Sequence, residues 1–314
     1  MPTTPPDRHR DPEKPEMVAE LAQLHSPLNP LHPSVKNRLH PEYVAFYDKY
    51  LVNAQQVHHL PVHVARISGG PPPSHSKPLA VGGIQDVSIS RRETSGPNIP
   101  LRCFTPPAVP PRSGWPLVLY YHGGGWVFGD IDTENTGQSR LNLDLTKVAI
   151  SGASAGANIA AVIAQKAVLR PQAGVSLRSQ VLVVPPTDNT ALPCTSSSWK
   201  EFEFTAHLPA KKMLWYRHHY LPNSADWSHL EASPLLAPDD VFKLLPRSYI
   251  IVGELDVLRH DGEEYARKLK ANGVPTEVHV AEGMPHPFLA MDAVLEAGRT
   301  AITNICDELV QAFA

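Results

Sequence analysis

The 314-residue sequence predicts an α/β fold built on a mostly parallel sheet. Three observations predict it. Short apolar runs of strand type alternate with helix-type segments through the carboxyl-terminal half, as successive βα units require. Residues 147–164, KVAISGASAGANIAAVIA, pass from the apolar run Val148-Ala149-Ile150 through small residues into an alanine-rich stretch. Alanine favours helix, so a strand, a sharp turn and a helix are expected there. Reactive residue types also recur just past the predicted strand ends, and in an open parallel sheet that edge is where ligands bind.

Composition sets the outer bounds. Apolar residues make up 42% and charged residues 19%, which suits a globular protein with a sizeable core. The net charge of −3 points to neither nucleic acid nor an anionic membrane as partner. Cys103, Cys194 and Cys306 are far apart and form no C-x-x-C pair, so no disulfide framework or zinc site is indicated. Residues 1–16 are polar and proline-rich and are expected to be a disordered tail. They lack the apolar core of a signal peptide, which predicts a cytoplasmic location. Residues 148–164 carry no charge, but Gly, Ser and Asn interrupt them, so a turn explains them better than a membrane span.

Taken in order, residues 17–80 are assigned to amino-terminal cap helices and a linker. Helices are expected at 17–24 and 41–54; in the second, Tyr43, Phe46, Tyr47 and Tyr50 recur at helical spacing and Pro41 suits a first turn. Residues 69–78, GGPPPSHSKP, make a proline-rich turn or linker. The main domain is assigned to 81–314. Alternating strands are expected at 86–91 and 99–104. The continuous apolar run LVLYY at 117–121 is of buried-strand type and leads into His122-Gly123-Gly124-Gly125-Trp126.

Further strands are expected at 179–184, 248–253 and 276–281, and helices at 261–271 and 292–313. The aromatic-rich stretch at about 188–225 is expected to be an insertion that caps the sheet. The adjacent pairs His58-His59 and His218-His219 do not present two rings easily to one metal, and no H-E-x-x-H is present, so no metal site is expected.

Four predicted strand ends carry chemistry. Gly152, Ser154 and Gly156 form G-x-S-x-G between a strand and a helix, the context of a nucleophile elbow. Successive glycines after the 117–121 strand let a backbone with free N–H groups approach a ligand. The dinucleotide pattern G-x-G-x-x-G fails here because Phe128 occupies its last position. A serine hydroxyl is a weak nucleophile, so a base must take its proton, and His286 past the 276–281 strand is assigned that role. Asp256 would hold the imidazole tautomer and stabilise the imidazolium. Glu254 and Asp261 compete for this place; Asp256 is preferred because it lies just past the strand end. The N–H groups of Gly123, Gly124 and Ala155 are assigned to an oxyanion hole, with His122 and Gly125 supporting the loop.

These residues resemble the hormone-sensitive-lipase-like branch of the α/β hydrolases. The resemblance rests on H-G-G-G-W at 122–126 with Gly129-Asp130 after it, G-A-S-A-G-A-N around Ser154, E-L-D-V-L-R around Asp256, G-M-P-H-P-F around His286, and Ser233-Pro234-Leu235-Leu236. It covers residue 81 to the carboxyl terminus. It implies an α/β-hydrolase sheet with helices on both faces and a helical cap. It also implies hydrolysis of a small-molecule ester through an acyl-enzyme, without a cofactor.

One departure is large. The family normally has a further strand and helix, with a Tyr-Arg-Leu-Ala-Pro-Glu segment, between the glycine loop and the elbow. Here only residues 130–146 separate them, room for one crossover of roughly 10–12 residues but not two. An internal deletion near 136–141 is therefore expected, at a cost in stability. It leaves an alternative open, a catalytically impaired protein of this fold that binds small molecules.

Overall fold

The structure is a computed structural model and describes residues 27–67, 76–77, 80–91, 94–130 and 142–314. The expected tail at 1–16, the helix at 17–24 and nearly all of the turn at 69–78 lie outside the described residues. Three short helices come first: α1 (Pro33–Lys36), α2 (Pro41–Tyr50) and α3 (Val62–Ala65). Both α1 and α2 begin with proline, which has no N–H to leave unpaired. The His32 and His40 rings accept from the backbone N–H groups of Ser34 and Glu42. The inner face of α2 buries Tyr43, Phe46 and Tyr47.

Strands β1 (Gly83–Ile89) and β2 (Ile99–Thr105) pair antiparallel as a two-stranded sheet of their own. After them come β3 (Trp115–Tyr121), β4 (Leu143–Ala153), α4 (Ala155–Leu169) and β5 (Leu177–Val183). The cap insertion carries α5 (Ser197–Glu201) and α6 (Ala210–Tyr220), and a short α7 (Asp239–Phe242) precedes β6 (Arg247–Gly253). Helix α8 (Arg259–Ala271), β7 (Thr276–Ala281) and α9 (Glu296–Phe313) complete the chain. Strands β3 to β7 form one parallel five-stranded sheet in chain order.

Side chains alternate across a strand, and this alternation divides the core in two. Val181, Val183, Tyr249 and Ile251 face a cluster that includes Tyr43, Phe46, Trp199 and Ala301. Leu182, Ile250 and Val252, one residue out of step, face Ala157, Ala160, Ala161 and Ala164 of α4 and Tyr265 and Leu269 of α8. The alanine face of α4 lets that helix lie close to the sheet. The result is an α/β-hydrolase fold with helices on both faces. Among the described residues, no helix is long and apolar enough to cross a membrane.

Three sequence expectations need correction. The helix expected at 41–54 ends at Tyr50, after which Leu51 and Val52 close the last turn on the Tyr47 carbonyl. Residues 117–121 look like a strand covered on both faces, but β3 is an edge strand among the described residues. Val118 and Leu119 are 40% and 37% exposed. An apolar run reports the tendency to be covered, and among the described residues β3 packs mainly against β4 and α4. The closing helix starts at Glu296 instead of 292, after a 3-10 turn at Phe288–Met291.

The cap insertion is tied back to α4 by buried amides. The Asn158 Nδ2 group donates to the carbonyls of Pro186 and Ala232, at 2.8 and 2.9 Å. Asn189 Nδ2 also donates to Ala232 O, and Gln165 Nε2 donates to Pro234 O. The Pro186 carbonyl has Asn158 as its partner, and a buried acceptor left alone loses its water without replacement. Asn158→Ala is therefore expected to lower unfolding stability by about 1–3 kcal/mol, measured by urea denaturation.

Candidate active site

Strand β4 ends at Ala153, and Ser154 takes φ +53° and ψ −121° before α4 begins. Such a backbone conformation typically costs a non-glycine residue about 1–3 kcal/mol, so its surroundings must enforce it. They do so by close approach. A Cβ on Gly156 would stand 1.9 Å from the Tyr121 carbonyl oxygen, and one on Gly152 would stand 2.4 Å from the Gly156 backbone. Only residues without a Cβ let the end of β3 and the start of α4 pass this closely. The Ser154 N–H donates to Val183 O at 2.8 Å, which fixes the turn against β5.

The sheet then brings three distant residues together. His286 Nε2 lies 2.8 Å from Ser154 Oγ, and His286 Nδ1 lies 2.7 Å from Asp256 Oδ2. A carboxylate only accepts, so Nδ1 carries the proton and Nε2 is left to accept from the serine hydroxyl. Asp256 is fully buried, and its other oxygen accepts from the Leu258 N–H at 3.0 Å. The two loops that carry Asp256 and His286 are stitched together by Glu254 N–H to Ala281 O and Leu255 N–H to Met284 O, both at 3.0 Å.

The competing acids are engaged elsewhere. Glu254 Oε2 accepts from the Gly283 N–H at 2.8 Å, bracing the loop that carries His286, and Glu254 Oε1 lies 3.7 Å from Arg38. Asp261 sits in the first turn of α8 and accepts from the N–H groups of Thr187 and Asp188. Burial raises its pKa to about 7 despite these bonds.

The glycine loop lies beside the serine: a Cβ on Gly123 would be 3.7 Å from Ser154 Cβ. Among the described residues, the N–H groups of Gly123, Gly124 and Ala155 donate to no backbone acceptor. His122 Nδ1 donates to Gly123 O at 2.7 Å, and its ring packs on Gly129. Gly125 backs onto the Tyr216 ring, which a Cβ would approach to 2.3 Å. The cap meets the loop through rings: Trp126 stacks on Tyr220 at 4.6 Å, and Phe128 meets Tyr216 edge-on at 5.7 Å. These contacts make an apolar wall on the cap side of the loop.

Sequence reasoning missed several neighbours. Asn158 stands in the quoted A-G-A-N, but nothing in that pattern gives its partners. His207 has φ +66°. Burial first, then Lys212 and His286, holds its pKa well below the usual imidazole range. Lys212 is buried in the cap, and no pattern in its surroundings announces it. Among the described residues, no group of three or more side chains is arranged to hold a metal.

Comparison with known proteins places the chain in a fold family. A model of the alpha/beta hydrolase fold matches residues 134–290, half of the chain. An AB hydrolase superfamily protein of Schizosaccharomyces pombe is 39% identical, with 91% of this chain and 97% of the relative covered. The chain belongs to the α/β-hydrolase fold family. Another relative in the family, named an esterase in Mycobacterium tuberculosis, is 31% identical over 69% of this chain and 79% of its own. One of two fungal esterases of solved structure from Rhizomucor miehei superposes with a TM-score of 0.73 at 25% identity, covering 88% of this chain and 97% of its own.

Among the described glycines of this hydrolase fold, Gly156 leaves the least room for a side chain, against Tyr121. Gly156→Ala forces a Cβ into a backbone carbonyl that cannot swing away. The variant is expected to be insoluble, or to unfold with stability lowered by more than about 4 kcal/mol, read by thermal melting of the soluble fraction.

Proposed function

We propose that this chain is a serine carboxylic-ester hydrolase that acts on small or short-acyl esters through an acyl-enzyme. The observation that carries the reading is the unbroken hydrogen-bonded array Ser154–His286–Asp256 next to a loop with unengaged N–H groups. Ser154 Oγ bonds to the ester carbonyl carbon while His286 Nε2 takes its proton. Asp256, buried and bonded to Nδ1, stabilises the imidazolium that forms. The carbonyl oxygen becomes an oxyanion and accepts from Gly123, Gly124 and Ala155, donors each worth roughly 3 kcal/mol in such a state. The imidazolium returns its proton to the departing alkoxide, and the alcohol leaves. Water then attacks the acyl-enzyme by the same route, giving the free acid and restoring the serine.

Relatives support the reaction class. A protein of Pseudomonas putida named ethyl acetate hydrolase is 24% identical over 73% of this chain and 82% of its own. The ring contacts between cap and glycine loop support a preference for short groups. Purified protein is expected to turn over p-nitrophenyl acetate and butyrate and to take a fluorophosphonate label. Ser154→Ala removes both, and Asp256→Asn lowers kcat by about 10⁴-fold. Glu254→Gln, whose carboxylate braces a loop, leaves the label in place. Ester binding without label or turnover supports the alternative of a small-molecule binding protein.

We infer also that the chain lacks one strand-helix unit that its relatives have. The fission-yeast alignment runs over 331 positions but uses 91% of 314 residues, about 286, so roughly 45 positions find no counterpart here. The fold-family match begins at residue 134, downstream of His122 to Trp126. The exposed edge strand β3 and the separate β1–β2 hairpin fit a gap at that place. An unpaired edge and uncovered apolar faces lower stability. Inserting the relative's segment after Asp130 is therefore expected to raise the melting temperature; equal melting temperatures count against the deletion.

A further inference from the structure

A cavity of about 260 Å³ lies between the amino-terminal helices and the cap, and the reaction derived above makes no use of it. Its walls include His32, His58, His59, Phe204, Thr205 and His207, and none of the described lining residues carries a carboxylate. Two of these wall residues place it beside the array. The Thr205 hydroxyl donates to the carbonyl of Leu255, the residue before Asp256. His207 lies near His286, which, after burial and Lys212, adds to the lowering of its pKa.

Behind this wall is a cation with no counterion. Lys212 is 8% exposed, and its Nζ donates to the carbonyl of His207 at 2.9 Å. That is one bond for a group with three donors. Among the described residues no carboxylate pairs with it, and burial alone lowers its pKa to about 8. Burial first, then His59, Lys212 and Lys211, lowers the pKa of His58, and burial first, then Lys212, lowers that of His207, so this ammonium lies near two residues of the cavity wall. His58 adds a buried Nδ1 without a partner. An unpaired buried cation is costly unless an anion completes it. Imidazole N–H groups and one ammonium, with no acid to repel it, suit a carboxylate. The volume lies below the roughly 300–1,000 Å³ of sites for drug-sized ligands, so the occupant is short.

We propose that this cavity is a subsite for a carboxylate carried by the ester, so that the preferred substrates are short esters with a second, anionic group. The proposal rests on the esterase reading and deepens it. The anion does not react; it orients the ester, whose carbonyl goes to Ser154. Two matched pairs of esters test it on the full chain. Mono-4-nitrophenyl succinate against p-nitrophenyl butyrate places the charge on the acyl side. 4-Acetoxybenzoate against phenyl acetate places it on the alcohol side. In one pair, kcat/KM for the charged ester is expected to exceed that of its neutral counterpart by roughly tenfold or more.

Lys212→Met keeps the length of the side chain and removes its charge. It is expected to bring that ratio down by roughly tenfold, mainly through KM. It should also raise the melting temperature, because an unpaired buried charge is lost. His58→Phe gives a second variant on the opposite wall, expected to lower the same ratio. Neutral esters turned over as fast as charged ones in both pairs, or a ratio unmoved by Lys212→Met, overturn the subsite and leave the esterase intact. No turnover of any of the four esters, with no fluorophosphonate label on Ser154, overturns both.

Discussion

The site depends on one close approach, that of the start of α4 to the end of β3 at Gly156 and Tyr121. It holds Ser154 in a backbone conformation that the residue would not adopt alone. It also places the glycine loop, which begins at the next residue after Tyr121, beside the serine. One contact thus sets two distances that have to agree. The helix in turn needs its alanine face to lie near the sheet, and Ala157, Ala160, Ala161 and Ala164 are all buried there. Small residues in this stretch therefore serve the packing and the site together.

Much of this was legible because it lies in local pattern. The strand-turn-helix at Ser154 follows from an apolar run, small residues and an alanine-rich segment, all within 18 positions at 147–164. The strands at 248–253 and 276–281 follow from apolar content and alternation, and the structure has β6 at Arg247–Gly253 and β7 at Thr276–Ala281. The four strand ends named from the sequence lie at the carboxyl edge of one parallel sheet. Choosing between Glu254 and Asp256 was a weaker inference, since both lie within three residues of the same strand. The structure separates them by partner: Gly283 for Glu254, His286 for Asp256.

What was not legible depends on contacts between distant segments. LVLYY has the composition of a covered strand, yet coverage comes from other elements, and a five-residue run cannot report whether they are present. Lys212 is an ordinary helix residue in sequence; its burial without a counterion among the described residues comes from how the cap folds over the amino-terminal helices. Asn158 follows the same rule, because its two acceptors are 28 and 74 residues away. In each case local sequence supplies the element, and the tertiary packing supplies the meaning of the side chain.

The exposed edge at β3 lies outside the constraints that assemble the array. Ser154, Asp256 and His286 stand on β4, β6 and β7, and these strands are joined through β5 by continuous parallel pairing. None of those ladders passes through β3. The glycine loop does depend on β3, but β3 is held along its length by β4, from Leu117 against Val148 to Tyr121 against Gly152. The Gly156 contact then fixes the end of β3 from the other side. The loss of a unit beyond β3, proposed above, would remove cover from its outer edge without touching these constraints. Stability and site geometry therefore separate: the first carries the cost of an uncovered strand, and the second is set by β4 to β7 and by one glycine.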